Sequence, residues 1–262
     1  MTIHNVQANN ATLHVRDEGA GPTVVFAHSL GLDHTVWDGV ADLMPDHRVV
    51  RYDLRGHGAS SVPNGPFSMG KMVADAEAVC DTLNLKDVVF VGLSVGGLVA
   101  QGLAVKRLDL IRAIVLSNTA AKLGQPQPWL DRAKIARERG MAALVEGTMA
   151  RWHVKPVPLD TVISVFQGTN PEGYAATCEA IAGTDFYTPT SGLRLPTMGL
   201  CGTRDRATPP DLVRETTELV PGSTFHLIRN AGHLPPLSQP DELARLLKHF
   251  LMSTGHSLSA PC

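Results

Sequence analysis

Gly92-Leu93-Ser94-Val95-Gly96-Gly97 is the stretch that most constrains what this chain can fold into. An apolar run, Val88-Val89-Phe90-Val91, precedes it, and a small-residue run from Leu98 to Ala104 follows. That order predicts a strand, a sharp turn and a helix, with a serine at the apex. Such an elbow strains the serine backbone and pushes its hydroxyl out at the carboxyl end of a sheet. Gly92 and Gly96 flank the serine at two residues each side because side chains there would strike the turn. The G-x-S-x-G pattern alone is short and recurs by chance. A strand before it and a helix after it give it weight. The competing reading is a glycine-rich turn that only packs closely.

The rest of the chain supplies a sheet for the elbow to stand on. Thr12 to Arg16 alternates, with Leu13 and Val15 on one face, and predicts an early half-exposed strand. Thr23-Val24-Val25-Phe26-Ala27 is continuously apolar, as in a sheet covered on both faces, and runs into His28-Ser29-Leu30-Gly31. A helix with Trp37, Val40, Ala41 and Leu43 on its buried side is expected next, then a strand from Arg48 to Asp53. Met72, Val73, Ala76, Val79, Cys80 and Leu83 recur at helical spacing. After the elbow, Ile111 to Leu116 is another buried strand. Strand and helix alternate this far, which predicts an α/β fold: a mostly parallel sheet with helices on both faces.

Past Asn118 the pattern changes. Residues 121–190 read as several short helices punctuated by Pro and Gly. Trp129, Ala133 and Ala136 mark one apolar face. Met141, Leu144, Val145, Met149 and Trp152 mark a second, and Leu159, Val162, Ile163 and Phe166 a third. The expected organisation is a core of residues 1–120 and 191–262 with a helical lid, 121–190, inserted in it. Strands resume at 197–201 and 223–228, a last helix covers 240–252, and Ser253 to Cys262 is expected to be a loose tail.

Composition narrows the function classes. The chain has 262 residues and a formal net charge of −2, with both signs interspersed and no basic run. Nucleic acid is therefore not an expected partner. No stretch is long and apolar enough to span a membrane, and the N-terminus has no basic segment followed by an apolar one. Cys80, Cys178, Cys201 and Cys262 are isolated, with no C-x-x-C, which argues against a zinc site or a disulfide framework. A soluble, cytoplasmic protein acting on a small molecule is expected, without metal or cofactor. Gly65-Pro66-Phe67-Ser68-Met69-Gly70-Lys71-Met72 imitates a P-loop. It has Met72 where magnesium needs Ser or Thr, Pro66 removes an N–H, and no strand precedes it. Gly56-His57-Gly58 lacks the third glycine of a dinucleotide fingerprint.

A serine hydroxyl is a poor nucleophile unless a base takes its proton and an acid orients that base. In a strand–elbow–helix setting the chain order is nucleophile, acid, histidine. Five histidines follow Ser94. His153 falls in the lid, His226 within a strand, His249 in the last helix and His256 in the tail. His233 stands in a loop just after a strand, where its side chain can reach the carboxyl edge. Asp205 follows strand 197–201 and fits the acid. Its rival Asp211 reads as part of a helix's first turn, and Asp185 lies in the lid. Two backbone N–H groups should hold the oxyanion: Val95, at the start of the elbow helix, and Leu30, in the loop after strand 23–27, with Ser29 second. His28 reads as a structural brace for that loop.

Together the elbow, the Asp205 loop and the His233 loop resemble the α/β-hydrolase superfamily over nearly the whole chain. Further segments are similar to the 3-oxoadipate enol-lactonases of aromatic catabolism. These are Ser29-Leu30-Gly31, Arg51-Tyr52-Asp53-Leu54-Arg55-Gly56-His57-Gly58, Ser117-Asn118-Thr119-Ala120-Ala121, Arg151-Trp152 and Glu172-Gly173-Tyr174. The resemblance implies an enzyme that opens a five-membered enol-lactone bearing a free carboxylate, giving 3-oxoadipate. Two positions depart from it: His28 stands where Asn is expected, and Leu234-Pro235-Pro236-Leu237 replaces a more polar segment. An anionic substrate calls for a cation at the pocket mouth, for which Arg151 is the candidate, with Ser29, Trp129 and Trp152 as further pocket residues. A carboxylesterase or another lactonase of the same fold stays open, as does a ligand-binding homologue that does no chemistry. A haloalkane dehalogenase does not fit, because its nucleophile would be Asp.

Overall fold

The computed structural model describes residues 1–152, 157 and 159–257. Eight strands form one sheet: β1 (Thr2–Ala8), β2 (Ala11–Glu18), β3 (Thr23–Ala27), β4 (Arg48–Tyr52), β5 (Val88–Leu93), β6 (Ile111–Ser117), β7 (Thr197–Gly202) and β8 (Thr224–Ile228). Their spatial order is β1-β2-β4-β3-β5-β6-β7-β8. The pairs β1–β2 and β2–β4 are antiparallel, and every later pair is parallel. Every residue of β5 and β7 is buried, as their largely apolar sequences require in a sheet covered on both faces. The edge strands β1 and β8 are only partly buried, and their sequences are correspondingly mixed.

The helices are α1 (Asp38–Ala41), α2 (Met69–Thr82), α3 (Val95–Lys106), α4 (Pro126–Arg139), α5 (Val145–Trp152), α6 (Leu159–Gly168), α7 (Pro171–Ala182), α8 (Tyr187–Ser191), α9 (Pro210–Glu218), α10 (Pro235–Ser238) and α11 (Pro240–Ser253). Short 3-10 turns, His34–Trp37 and Met141–Leu144, lead into α1 and α5. Between β6 and β7 the described residues contain helices α4 to α8 and no strand. None of the described helices is long and apolar enough to cross a membrane.

The chain passes from β3 outward to β4 and then returns to the other side of β3 to lay down β5. Sheets of this kind open a crevice at such a reversal, outside the carboxyl ends of the strands. The loops after β3, β5, β6, β7 and β8 all leave from that one edge. The helical segment closes over it. Gly56, in the loop after β4, lies so close to Gly173 of α7 that a Cβ on Gly56 would sit 2.5 Å from the Gly173 Cα. Gly31, after β3, is likewise pressed against the Phe166 ring of α6.

Three expectations need correction. β1 was not expected; it is an exposed edge strand tied to β2 through the two-residue turn Asn9-Asn10, with Asn9 at φ 55°. Leu159 is not part of a buried face but exposed, at the first turn of α6, while Val162 and Phe166 are buried. Residues 253–256 are not a loose tail. Ser253 ends α11, and His256 is buried, with its Nε2 bonded to the Thr23 carbonyl (2.8 Å) and its own carbonyl bonded to His47 Nε2 (3.1 Å). His153 and Cys262 lie outside the described residues.

Gly56 tests the closeness of core and helical segment. Its φ of +76° is unfavourable to any side chain, and its Cβ would meet backbone rather than a flexible group. Gly56→Ala should destabilise the protein by about 2 kcal/mol or more, read as a lower urea midpoint with an unchanged slope.

Candidate active site

The elbow forms where β5 meets α3. Ser94 has φ 57° and ψ −116°, a conformation that costs an L-residue on the order of 1–3 kcal/mol. Surrounding contacts hold it there. The Ser94 N–H donates to the Ser117 carbonyl (2.9 Å), and the Thr119 hydroxyl donates to the Ser94 carbonyl (2.6 Å). A Cβ on Gly96 would lie 2.5 Å from the Ala27 carbonyl oxygen, and one on Gly92 would run into the Gly96 backbone. Both glycines are therefore required by close packing of backbone on backbone.

The loops after β7 and β8 bring Asp205 and His233 together. Both side chains are buried, and His233 Nδ1–H donates to Asp205 Oδ2 at 2.8 Å. Asp205 is saturated with donors. Oδ1 accepts the Ala207 and Thr208 N–H groups (2.8 and 3.1 Å). Oδ2 also accepts the Thr208 hydroxyl (2.7 Å) and Asn118 Nδ2–H (2.8 Å). Burial alone would raise the Asp205 pKa. The His233 charge and hydrogen bond, with those of Asn118 and Thr208, outweigh it and hold the carboxyl below its ordinary value. An ionised Asp205 accepting from Nδ1 leaves the Nε2 lone pair of His233 free to act as a base. Ser94 and His233 line the same cavity, and among the described residues no hydrogen bond joins their side chains. Catalytic contacts of this kind commonly tighten only when substrate arrives.

Leu30, after β3, lines that cavity, and Val95 begins α3 immediately after Ser94. Among the described residues neither N–H meets a protein acceptor, so both are available to an oxyanion. His28 braces the loop as expected: Nδ1–H donates to the Ser29 carbonyl (2.7 Å), and Nε2 accepts the Leu54 N–H (2.9 Å). Its burial lowers its pKa, which favours the neutral ring that the Leu54 contact requires. Asp53 ties the same two loops. Oδ1 accepts the His34 N–H (2.7 Å) and Nδ1–H (2.8 Å), and Oδ2 accepts the Ala59 N–H (2.8 Å). Burial would raise the Asp53 pKa, yet the His34 hydrogen bond and charge, with the Ala59 N–H, bring it down to about 2. His14, His34 and Asp53 are the one group of possible metal ligands gathered among the described residues, and His34 and Asp53 are already bonded to each other.

A cavity of about 230 Å³ covers Ser94. The four pocket residues expected from sequence, Ser29, Trp129, Arg151 and Trp152, all line it. So does Arg132, which sequence did not single out although it stands three residues from Trp129 on α4; its guanidinium lies over the Trp129 ring, 4.6 Å from the centroid. Arg151 is half-buried and donates to the Thr148 hydroxyl (3.3 Å). Burial, with the positive charge of Arg132 nearby, lowers its pKa. Among the described residues neither arginine is paired with a carboxylate. The end of α5 is fastened to the loops that carry Asp205 and His233: the His233 N–H donates to the Trp152 carbonyl (2.8 Å) and the Arg206 N–H to the Arg151 carbonyl (3.1 Å). The Trp152 ring stacks on the His233 ring, with centroids 5.8 Å apart.

This sheet, its elbow and the loops gathered at one edge define an α/β-hydrolase. Residues 24–246 match the family model described as the alpha/beta hydrolase family, and the chain belongs to that family. The 3-oxoadipate enol-lactonase 1 of Acinetobacter baylyi is 31% identical, over 96% of this chain and 98% of its own. The 3-oxoadipate enol-lactonase 2 of the same organism is 30% identical over 92% of this chain and 91% of its own. Among solved structures, the enol-lactonase from Burkholderia xenovorans LB400 superposes with a TM-score of 0.90 at 34% identity, covering 96% of this chain and 100% of that one. A thermophilic esterase from Thermogutta terrifontis, with malate bound, gives 0.89 at 29% identity, covering 97% and 98%.

The Asp53 pair makes a pH test. A carboxyl whose pKa is depressed on folding stabilises the protein above the ordinary carboxylate range, and that contribution is lost as pH falls through the folded value. Asp53→Asn should cost on the order of 2 kcal/mol at neutral pH, and the gap to wild type should close between about pH 4 and pH 2. Urea unfolding of both proteins across that range measures it.

Proposed function

We propose that this chain is a serine hydrolase that opens a small carboxylate-bearing enol-lactone, 3-oxoadipate enol-lactone to 3-oxoadipate, through an acyl-enzyme. The observation that carries this reading is the pair Arg132 and Arg151, which face the cavity over Ser94 without a carboxylate partner among the described residues. Two half-buried cations sharing one cavity repel each other until an anion joins them. The enol-lactonase relatives at about 30% identity support the same substrate class.

In this reading Ser94 Oγ attacks the lactone carbonyl carbon while its proton passes to His233 Nε2. The Leu30 and Val95 N–H groups hold the oxyanion, each worth roughly 3 kcal/mol of barrier in comparable sites. The ring C–O bond breaks, and the departing enol oxygen takes the proton from His233. The enol then ketonises. A water gives its proton to His233 and attacks the acyl carbon, the ester bond to Ser94 breaks, and the proton returns to the serine. Asp205 keeps the imidazole in the tautomer both half-reactions need. Trp129 and Trp152 wall the pocket, Ser29 offers a hydroxyl to the substrate, and residues 121–190 act as the lid that excludes water. The alternative is a carboxylesterase of the same fold, favoured by the apolar lining that Leu123, Trp129, Trp152 and Leu212 give the cavity. We read the enzyme as cytoplasmic; Cys80, Cys178 and Cys201 are free thiols, as a reducing compartment keeps them.

Steady-state kinetics on the enol-lactone and on a neutral p-nitrophenyl ester test both levels. Ser94→Ala should lose turnover of both by more than about a thousandfold. Arg132→Met and Arg151→Met should raise KM for the anionic lactone tenfold or more, by the worth of about one charge-assisted hydrogen bond, and leave the neutral ester within about twofold. A wild-type preference for neutral esters would replace the lactonase reading with the esterase one.

A further inference from the structure

Asn118 is buried, and its φ of 50° places it in the left-handed region at the carboxyl end of β6. Asn enters that region at lower cost than most residues, so the conformation alone has a local explanation. The side chain does more than satisfy itself. Its Oδ1 accepts the Ser117 hydroxyl (2.9 Å), which fixes the amide so that Nδ2 points toward the catalytic loops. Nδ2–H then donates to Asp205 Oδ2 (2.8 Å) and to the Gly232 carbonyl (3.2 Å). The first is the same carboxylate oxygen that receives the His233 proton, and the second belongs to the residue just before His233.

Its neighbours hold the third member. The Ser117 carbonyl accepts the Ser94 N–H, and the Thr119 hydroxyl donates to the Ser94 carbonyl. Three consecutive residues at the end of one strand thus touch the backbone of Ser94, the carboxylate of Asp205 and the loop of His233. Those three lie on separate loops, after β5, β7 and β8, and β6 stands in the sheet between β5 on one side and β7 and β8 on the other.

We propose that Asn118 is a positioning residue for the reaction, the centre of a Ser117-Asn118-Thr119 clamp that sets the three catalytic groups in register. Its amide fixes which Asp205 oxygen faces His233 Nδ1 and holds negative charge on that oxygen while the imidazole carries a proton. The inference rests on the proposed serine-hydrolase reading. Its effect is on turnover, not on substrate affinity, because Asn118 is not among the residues lining the cavity.

The test compares wild type with Asn118→Ala, Asn118→Asp and Asn118→Ser, using hydrolysis of a p-nitrophenyl ester across pH, circular-dichroism melting, and the low-field proton NMR signal of the His233–Asp205 hydrogen bond. The Ala variant should lose kcat by about tenfold or more with KM within about twofold. Without the amide donor the carboxylate becomes more basic and stabilises the imidazolium, so the acid limb of kcat/KM moves to higher pH. Asp at 118 adds negative charge beside the same oxygen and should move that limb further the same way. Ser should recover part of kcat, and the low-field signal should shift in each variant. The clamp is overturned if folded variants keep wild-type kcat, limb and signal, or if activity falls only in step with the folded fraction. The NMR signal needs no turnover. Wild type that hydrolyses nothing, yet shows a signal that moves in the variants, defeats the hydrolase reading and leaves the clamp standing.

Discussion

Where β5 turns into α3, the backbone of residues 92–97 lies against itself and against Ala27 with no room for a Cβ at Gly92 or Gly96. Most of the site follows from that constraint. It forces Ser94 to an unfavourable φ, which aims its hydroxyl into the cavity rather than along the sheet. It brings the end of β3 against the start of α3, so that Leu30, in the loop after β3, lines the same cavity as Ser94. It also holds α3 tightly to the sheet, where every β5 residue is buried on both faces. The strain of a few kcal/mol is sustained because the contacts that would relax with it are backbone contacts in the middle of the core.

A parallel sheet with its reversal beside β5 then does the rest. Loops after β3, β5, β6, β7 and β8 contribute the free Leu30 N–H, a serine, a buried amide, a carboxylate and an imidazole, all at one edge. No single loop carries the chemistry, and none of these groups is near another in sequence except Ser94 and Val95. The helical segment is fastened to the same groups. The carbonyls of Arg151 and Trp152 accept N–H bonds from the acid and histidine loops. The segment that carries the Arg151 guanidinium is thereby tied to the backbone that positions His233, and under the proposed reading this couples substrate recognition to the chemistry.

Much of this was legible in the chain itself. The central strands β3, β5, β6 and β7 show as largely apolar runs because burial on both faces leaves few polar positions to confuse the pattern. The elbow, and the meeting of Asp205 with His233, were legible because each residue stands in a loop at the carboxyl end of a strand of the same sheet. What was not legible depends on partners distant in sequence. β1 is an exposed edge strand whose mixed pattern carries no periodic signal. His256 is ordered by Thr23 and His47, more than 200 residues away. Arg132 reads as one more charge on a surface helix until the cavity is seen beneath it. Asn118 was visible only as part of a resemblance; its role needs the position of Asp205, 87 residues later.

The account turns on Ser94 becoming acylated. The most direct test is intact-mass and peptide mass spectrometry of the enzyme quenched during turnover of a slowly deacylated ester. The account predicts an adduct of the acyl group's mass on the peptide containing Ser94, formed and lost at rates compatible with kcat. Steady turnover with no covalent species under conditions where deacylation is slow, or an adduct on any other residue, would contradict it.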